Sequence, residues 1–196
     1  PVGAQAVVRV EDTTARDDEV TVSVAAPTGQ FIRGVGGDVG VGDVVLAAGQ
    51  VIGPSQIAAL AAHNIETVAV YPRPRVAILS TGDELVLHGQ APGPAQLVDS
   101  NGPGLAAAAI AAGAEVLDVT QVGDDPDAFL AAMDSLPDAD LIVTSGGISM
   151  GAYDVVKATL GSLGVSFETV AMQPGKPQAW GRYRDRAGFL GLPGNP

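Results

Sequence analysis

The 196 residues carry 22 acidic against 10 basic side chains, for a formal net charge of −12, with 46% hydrophobic and 16% charged residues and no cysteine. This length buries a real core. The charge leaves no basic stripe for a nucleic-acid backbone, and the missing cysteines exclude a disulfide framework and thiolate metal sites. No apolar run approaches the ~18 residues of a membrane span and no signal-peptide pattern is present, so no membrane partner is expected and cytoplasm is the default location. The two histidines, His63 and His88, are too few and too far apart for a histidine metal site.

In chain order, 6–10 and 19–25 gather β-branched residues around the polar stretch 12–18, which reads as an antiparallel hairpin. Gly34, Gly36, Gly37, Gly40 and Gly42 then cut the chain into short pieces, with short strands expected at 44–46 and 51–52. No long strand leads into these glycines and no helix follows them, so they do not form a dinucleotide fingerprint. Pro54-Ser55 starts a helical pattern with Ile57, Leu60 and Ala61 on one face, ending near His63-Asn64, and 67–71 supplies a strand. The linker Tyr71-Pro72-Arg73-Pro74-Arg75 cannot continue a helix and marks the main boundary. The expected division is a partial β-rich domain over 1–34, a linking region with short strands and one helix over 35–72, and a large domain over 73–196.

Beyond the linker the period changes. An apolar strand at 76–79, an alanine-rich helix at 101–112 with Asn101 as N-cap and a strand at 115–119 are followed by a helix at 127–136. A buried strand at 141–144, a helix at 155–163 and strands at 166–170, 178–182 and 189–192 complete the series. Alternating helices and buried strands make a three-layer α/β/α domain with a mainly parallel sheet. In such a sheet ligands sit at the carboxyl ends of the strands, which places 80–85, 123–126, 145–154 and 174–177 on one rim. That rim carries Asp83, Glu84, Asp124, Asp125, Asp154 and Lys176.

The stretch Ser145-Gly146-Gly147-Ile148-Ser149-Met150-Gly151-Ala152-Tyr153-Asp154 runs from a strand into a helical pattern. Two glycines there let backbone N–H groups approach an anion, and the closing carboxylate suits a phosphate that arrives with a divalent cation. The same residues also read as a tight strand-to-helix turn with Asp154 as N-cap. Asp124 reads equally as a helix cap, and Asp83 and Glu84 as solvated acids. Convergence on one rim is what turns them toward a site, because grouped carboxylates repel unless a proton or a cation intervenes. Lys157 and Lys176 are the only lysines, and Lys176 sits on the restricted backbone of Gln173-Pro174-Gly175-Lys176-Pro177, which suits a positioned cation.

Taken together, Thr81-Gly82-Asp83-Glu84-Leu85, Asp99-Ser100-Asn101, Gly123-Asp124-Asp125-Pro126, Ser145 to Asp154, Pro174-Gly175-Lys176-Pro177 and Leu192-Pro193-Gly194-Asn195-Pro196 resemble, in order, the motifs of the molybdopterin molybdenumtransferase family. That family includes MoeA and the gephyrin E domain. The resemblance spans essentially the whole chain, including 3–11 and 32–43. It implies a molybdopterin-binding domain of α/β/α type and insertion of molybdenum from molybdate into adenylylated molybdopterin, with release of AMP. It further implies Mg²⁺ held by Glu84 and Asp154, Asp124 as an essential acid near the pterin, and Lys176 and Pro177 at the molybdate. Thr81, Gly82, Asp83, Ser100, Asn101, Ser145, Gly146, Gly147, Ser149 and Gly151 would line the pterin nucleotide. Relatives are homodimers, with Arg33 and Asp38 in the region that would reach the partner. The chain departs from many relatives in carrying Gln173 and Thr169 where they have lysine, which removes positive charge near the oxyanion. Both ends read as truncated, the last at a strand-to-turn junction. A molybdopterin adenylyltransferase, which resembles Thr-Gly-Gly-Thr-Gly at the glycine turn and stands as one domain, and a non-catalytic gephyrin-type scaffold are the competing readings.

Overall fold

The computed structural model describes residues 2–148, 155–172 and 177–195. The chain divides into two compact units, Pro1–Val70 and Tyr71–Pro196.

In the first unit a 3-10 turn, Val10–Asp12, leads into an antiparallel hairpin of β1 (Thr13–Arg16) and β2 (Glu19–Val22). The hairpin therefore begins inside the stretch expected to be its turn. Asp17 takes φ +49°, a conformation aspartate tolerates, so Asp17-Asp18 closes a two-residue turn next to the Arg16 and Glu19 pair. The β-branched Thr13 and Thr14 then pair with Val22 and Thr21. Residues 6–10 form no strand; Val7 N–H donates to the Gln30 carbonyl at 2.9 Å and Gly29 N–H to that of Gln5 at 2.7 Å. Helix α1 (Pro54–Ala62) starts where Pro54 predicts, with Gly53 N–H donating to Gln56 Oε1, and is followed by left-handed Asn64. The strands expected at 44–46, 51–52 and 67–71 are absent, and those segments run as turns and irregular chain. Gly42 and Gly49 take positive φ just before 44–46 and 51–52, which turns the chain at the entry to those two runs.

The second unit is built on β3 (Arg75–Thr81), β4 (Leu85–Val86), β5 (Leu97–Val98), α2 (Asn101–Ala111), β6 (Glu115–Val122), α3 (Pro126–Ser135), β7 (Leu141–Ser145), α4 (Val155–Leu160), β8 (Val165–Glu168), β9 (Gln178–Tyr183) and β10 (Ala187–Leu192). Six strands form one sheet in the order β6-β3-β7-β10-β9-β8. β6, β3, β7 and β10 run parallel, and β9 alone is reversed, pairing antiparallel with both β10 and β8. β4 and β5 form a separate short parallel pair between β3 and α2, an element the sequence pattern did not announce.

Alternation along β3 creates the three layers. Val76 and Ile78 face α2 with Leu105, Ala106 and Ala109, while Ala77 and Leu79 join Phe129, Met133, Val156 and Leu160 of α3 and α4 on the other face. Both faces are covered, which is why the central strands read as unbroken apolar runs. The starts of β3 and β7 are tied by Arg75. Its backbone N–H donates to Asp140 Oδ2 at 2.8 Å and its guanidinium to Oδ1 at 3.2 Å, holding the Asp140 carboxyl below the usual carboxylate range. Helix α3 takes its cap from Asp125, whose Oδ1 accepts Ala128 N–H at 2.8 Å. With Pro126 at the first helical position, the residue before it becomes the cap, so Asp124 is not the capping residue. On α2 the expected cap also differs: the buried Asp99 carboxylate accepts Gly102 N–H at 3.0 Å, and Asn101 makes no cap hydrogen bond.

Two outcomes follow from these contacts. Asp125→Ala should lower unfolding stability by about 1 kcal/mol, measured by urea denaturation. Tyr183, buried at the end of β9, donates to Asp134 Oδ1 at 2.7 Å, and burial first and Asp134 second push its phenol up to about 12 from 10.0. Its raised pKa contributes stability that is complete below pH 10.0 and lost as pH rises through about 12. Thermal melts should fall across that window, and Tyr183→Phe should flatten the fall.

Candidate functional site

The chain leaves β3 for β6 on one side of the sheet and returns to β7 on the other side of β3. The loops after these two neighbours therefore diverge, and their separation opens a crevice at the carboxyl edge. A cleft of about 600 Å³ lies there, lined from β3 by Thr81, Gly82, Glu84 and Leu85, from β7 by Ser145, Gly146, Gly147 and Ile148, and from beyond β10 by Pro193, Gly194 and Asn195. Asn101 and Asp124 complete the wall.

The glycine pair is required by close packing. Gly146 and Gly147 take φ +96° and +64°, and a Cβ on Gly146 would lie 2.5 Å from the Thr81 carbonyl oxygen. One on Gly147 would lie 2.8 Å from Val156 Cγ2 and 2.9 Å from Thr81 Oγ1. Gly146 N–H donates to Leu192 O at 3.0 Å, so the turn is fastened to β10 on one side while it rests on β3 on the other. Asn101 ties the end of β7 to the β10 exit: its Nδ2 donates to Ser145 Oγ and to the Gly194 carbonyl, each at 2.8 Å.

The acids divide by direction. Glu84 and Asp124 are exposed and line the cleft. Asp83, also exposed, is absent from the lining; its Oδ1 accepts Asp124 N–H at 3.0 Å. Among the described lining residues, the charged ones are thus two carboxylates. No group of three or more His, Cys, Asp or Glu with metal-holding geometry occurs among the described residues. Two hard oxygen donors lining such a cleft still suit Mg²⁺, which takes one or two carboxylates and completes its shell with phosphate and water.

Of the residues expected on the rim, the structure brings Thr81, Gly82, Glu84, Asn101, Asp124, Ser145, Gly146 and Gly147 together. Ser100 lines an adjoining hollow with Gly104 and Leu105, and Pro177 lies buried just before β9. Ser149, Gly151, Asp154 and Lys176 lie outside the described residues. Leu85 and Ile148 lie in the segments expected on the rim, though not singled out as site residues, and sequence reasoning missed the β10 exit as part of the wall. Its signal for the β10 exit was the Pro193-Gly194-Asn195 turn, whose place beside β7 depends on a strand order that spacing does not encode.

Comparison with known proteins adds a second line of observation. Residues 77–196 match the family described as "Probable molybdopterin binding domain", and residues 1–63 match "MoeA N-terminal region (domain I and II)". Molybdopterin molybdenumtransferase 2 of Mycobacterium tuberculosis is 44% identical over 204 residues, covering 100% of this chain and 50% of that protein. The molybdopterin molybdenumtransferase of Nostoc sp. is 39% identical over 201 residues, covering 100% and 46%. Two solved structures of the molybdopterin biosynthesis moeA protein from Pyrococcus horikoshii give TM-scores of 0.76 and 0.74 at 32% and 25% identity, covering 100% of this chain and 49% and 47% of theirs. The chain spans about half the length of the curated relatives it matches.

The packing at the glycine turn sets a clear expectation. Gly146→Ala should cost about 2 kcal/mol or more, since left-handed backbone with a Cβ costs 1–2 kcal/mol before the overlap with Thr81 is counted. Urea denaturation measures the loss. A change within 0.5 kcal/mol would contradict the close approach.

Proposed function

The chain belongs to the molybdopterin-binding-domain family, and from that premise we propose that it is the central part of a molybdopterin molybdenumtransferase, which inserts molybdenum from molybdate into adenylylated molybdopterin and releases AMP. The observation that carries this reading is the cleft at the strand-order reversal, where a glycine turn and two carboxylates face one another. Thr81, Gly82, Ser145, Gly146 and Gly147 are the residues we assign to the nucleotide phosphate, because they line the cleft where β3 and β7 end. Glu84, with Asp154 from outside the described residues, would hold Mg²⁺, and Asp124 would face the pterin side. When bound, the ion supplies positive charge that offsets the phosphate oxygens and the carboxylates together. Glu84 would hold the ion beside the phosphate, and the glycine turn would form the opposite wall of the cleft.

Lys176 and Pro177 we assign to molybdate. Gln173 in place of a lysine leaves an amide that can donate to an oxyanion without balancing its charge. Homodimerisation and a cytoplasmic location belong to the same proposal for the whole protein; no helix among the described residues is long and apolar enough to cross a membrane. The match of residues 1–63 to a MoeA N-terminal region supports this reading over a one-domain adenylyltransferase.

Calorimetric titration of the chain with AMP tests it. Binding should require Mg²⁺, and Glu84→Ala should weaken it about tenfold or more, the loss of one charge-assisted contact. Binding that ignores both Mg²⁺ and Glu84 would sink the assignment.

A further inference from the structure

Beyond the last paired residues of β3 and β6, Thr81 and Val122, the two chains stay joined without a ladder. Gly82 N–H donates to the Val122 carbonyl at 3.1 Å. One residue on, the side chains take over: Asp83 Oδ1 accepts Asp124 N–H at 3.0 Å, and Asp124 Oδ2 accepts Asp83 N–H at 3.4 Å. Each carboxylate stands in for the carbonyl that a longer strand would have offered. The β3–β4 and β6–α3 loops, which carry Glu84 and Asp124 into the cleft, are thereby clasped to each other.

Gly123 shows how closely the clasp is built. A Cβ there would overlap Asp83 Oδ1, and the described atoms within 4 Å of it all belong to Asp83. Gly123 does not take positive φ, so its backbone conformation is open to any residue. A side chain at this position would take the space of the Asp83 carboxylate and would have to displace it from the Asp124 N–H. Glu84 differs, since its carboxylate folds back over Gly82, within 2.7 Å of where a Cβ there would lie, and lines the cleft that Asp83 does not.

We propose that Asp83 is a positioning residue: it holds the backbone of Asp124, and so the acid that lines the cleft, and does not itself bind the metal or the phosphate. A hydrogen-bond acceptor is all this role requires, and an asparagine oxygen can fill it, whereas a role in balancing charge cannot survive that change. The part of the proposal that concerns ligand rests on the proposed function; the clasp itself does not.

The test uses the whole chain, with Asp83→Ala, Asp83→Asn, Gly123→Ala and the double variant Asp83→Ala with Gly123→Ala. Amide hydrogen exchange at Asp124 should speed up about tenfold in Asp83→Ala and stay within about threefold of wild type in Asp83→Asn, the scale of one lost charged hydrogen bond. Gly123→Ala should match Asp83→Ala, and the double variant should be no worse than either, because removing the carboxylate removes the overlap. Affinity for AMP with Mg²⁺ should follow the same ranking. Unchanged exchange in Asp83→Ala, or additive losses in the double variant, would overturn the clasp. Equal loss of AMP affinity in the Ala and Asn variants would assign Asp83 to charge instead. Should wild type bind no AMP, the proposed function fails and the exchange cycle still decides the clasp.

Discussion

Gly146 lies against the carbonyl of Thr81, and the carboxyl edge of the sheet is arranged around that approach. Because Gly146 carries no side chain, it packs against Thr81 one residue past the last pairing of β3 and β7, and the β7 loop can turn away with φ +96°. The reversal of strand order next forces the β3 loop the other way. A crevice between diverging loops is then a consequence of connectivity, and the glycine turn determines how near a ligand can come to backbone. Fastening by Leu192 O and by Asn101 keeps the turn from relaxing into the space it leaves.

The supports of the site differ in reach from its components. Its components are short motifs, each legible in the sequence because glycine, aspartate and proline have few uses at a strand end. Its supports join positions far apart: 41 residues between Asp83 and Asp124, 44 between Asn101 and Ser145, 93 between Asn101 and Gly194. No pattern of spacing encodes these, since they follow from which strands become neighbours. Asn101 illustrates the point. Its type and place before a helix indicate a cap, yet Asp99 takes that work and the amide is spent on two other elements.

Much of the large unit could be read from period alone. β3, α2, β6, α3 and β7 lie close to where apolar runs and caps put them, because both sheet faces are covered and the strands need no polar alternation. The first unit yielded less. Its glycines with positive φ cut apolar pairs such as Val44-Val45 and Val51-Ile52 away from any partner strand, so β-propensity there had nothing to act upon. The reversed direction of β9 was also hidden. Only the tight turn at Arg184-Asp185, with φ +47° and +56°, betrays it, and such values belong to structure rather than to composition.

An acidic chain that binds a phosphate has an electrostatic problem to solve locally. Two unit charges 4 Å apart repel by about 4 kcal/mol at an effective dielectric of 20, so a nucleotide meeting Glu84 and Asp124 unaided would be opposed. Under the proposed function Glu84, with Asp154, becomes the reason that nucleotide and cation enter together, since each lowers the cost of the other. The clasp then has a use beyond rigidity. With Asp83 turned toward the Asp124 backbone amide, its charge is set against an N–H dipole outside the cleft lining, while Glu84 and Asp124 line the cleft. Under the proposed function, Glu84 and Asp154 would be too few to cage a metal alone, and enough to hold one that brings phosphate oxygens with it.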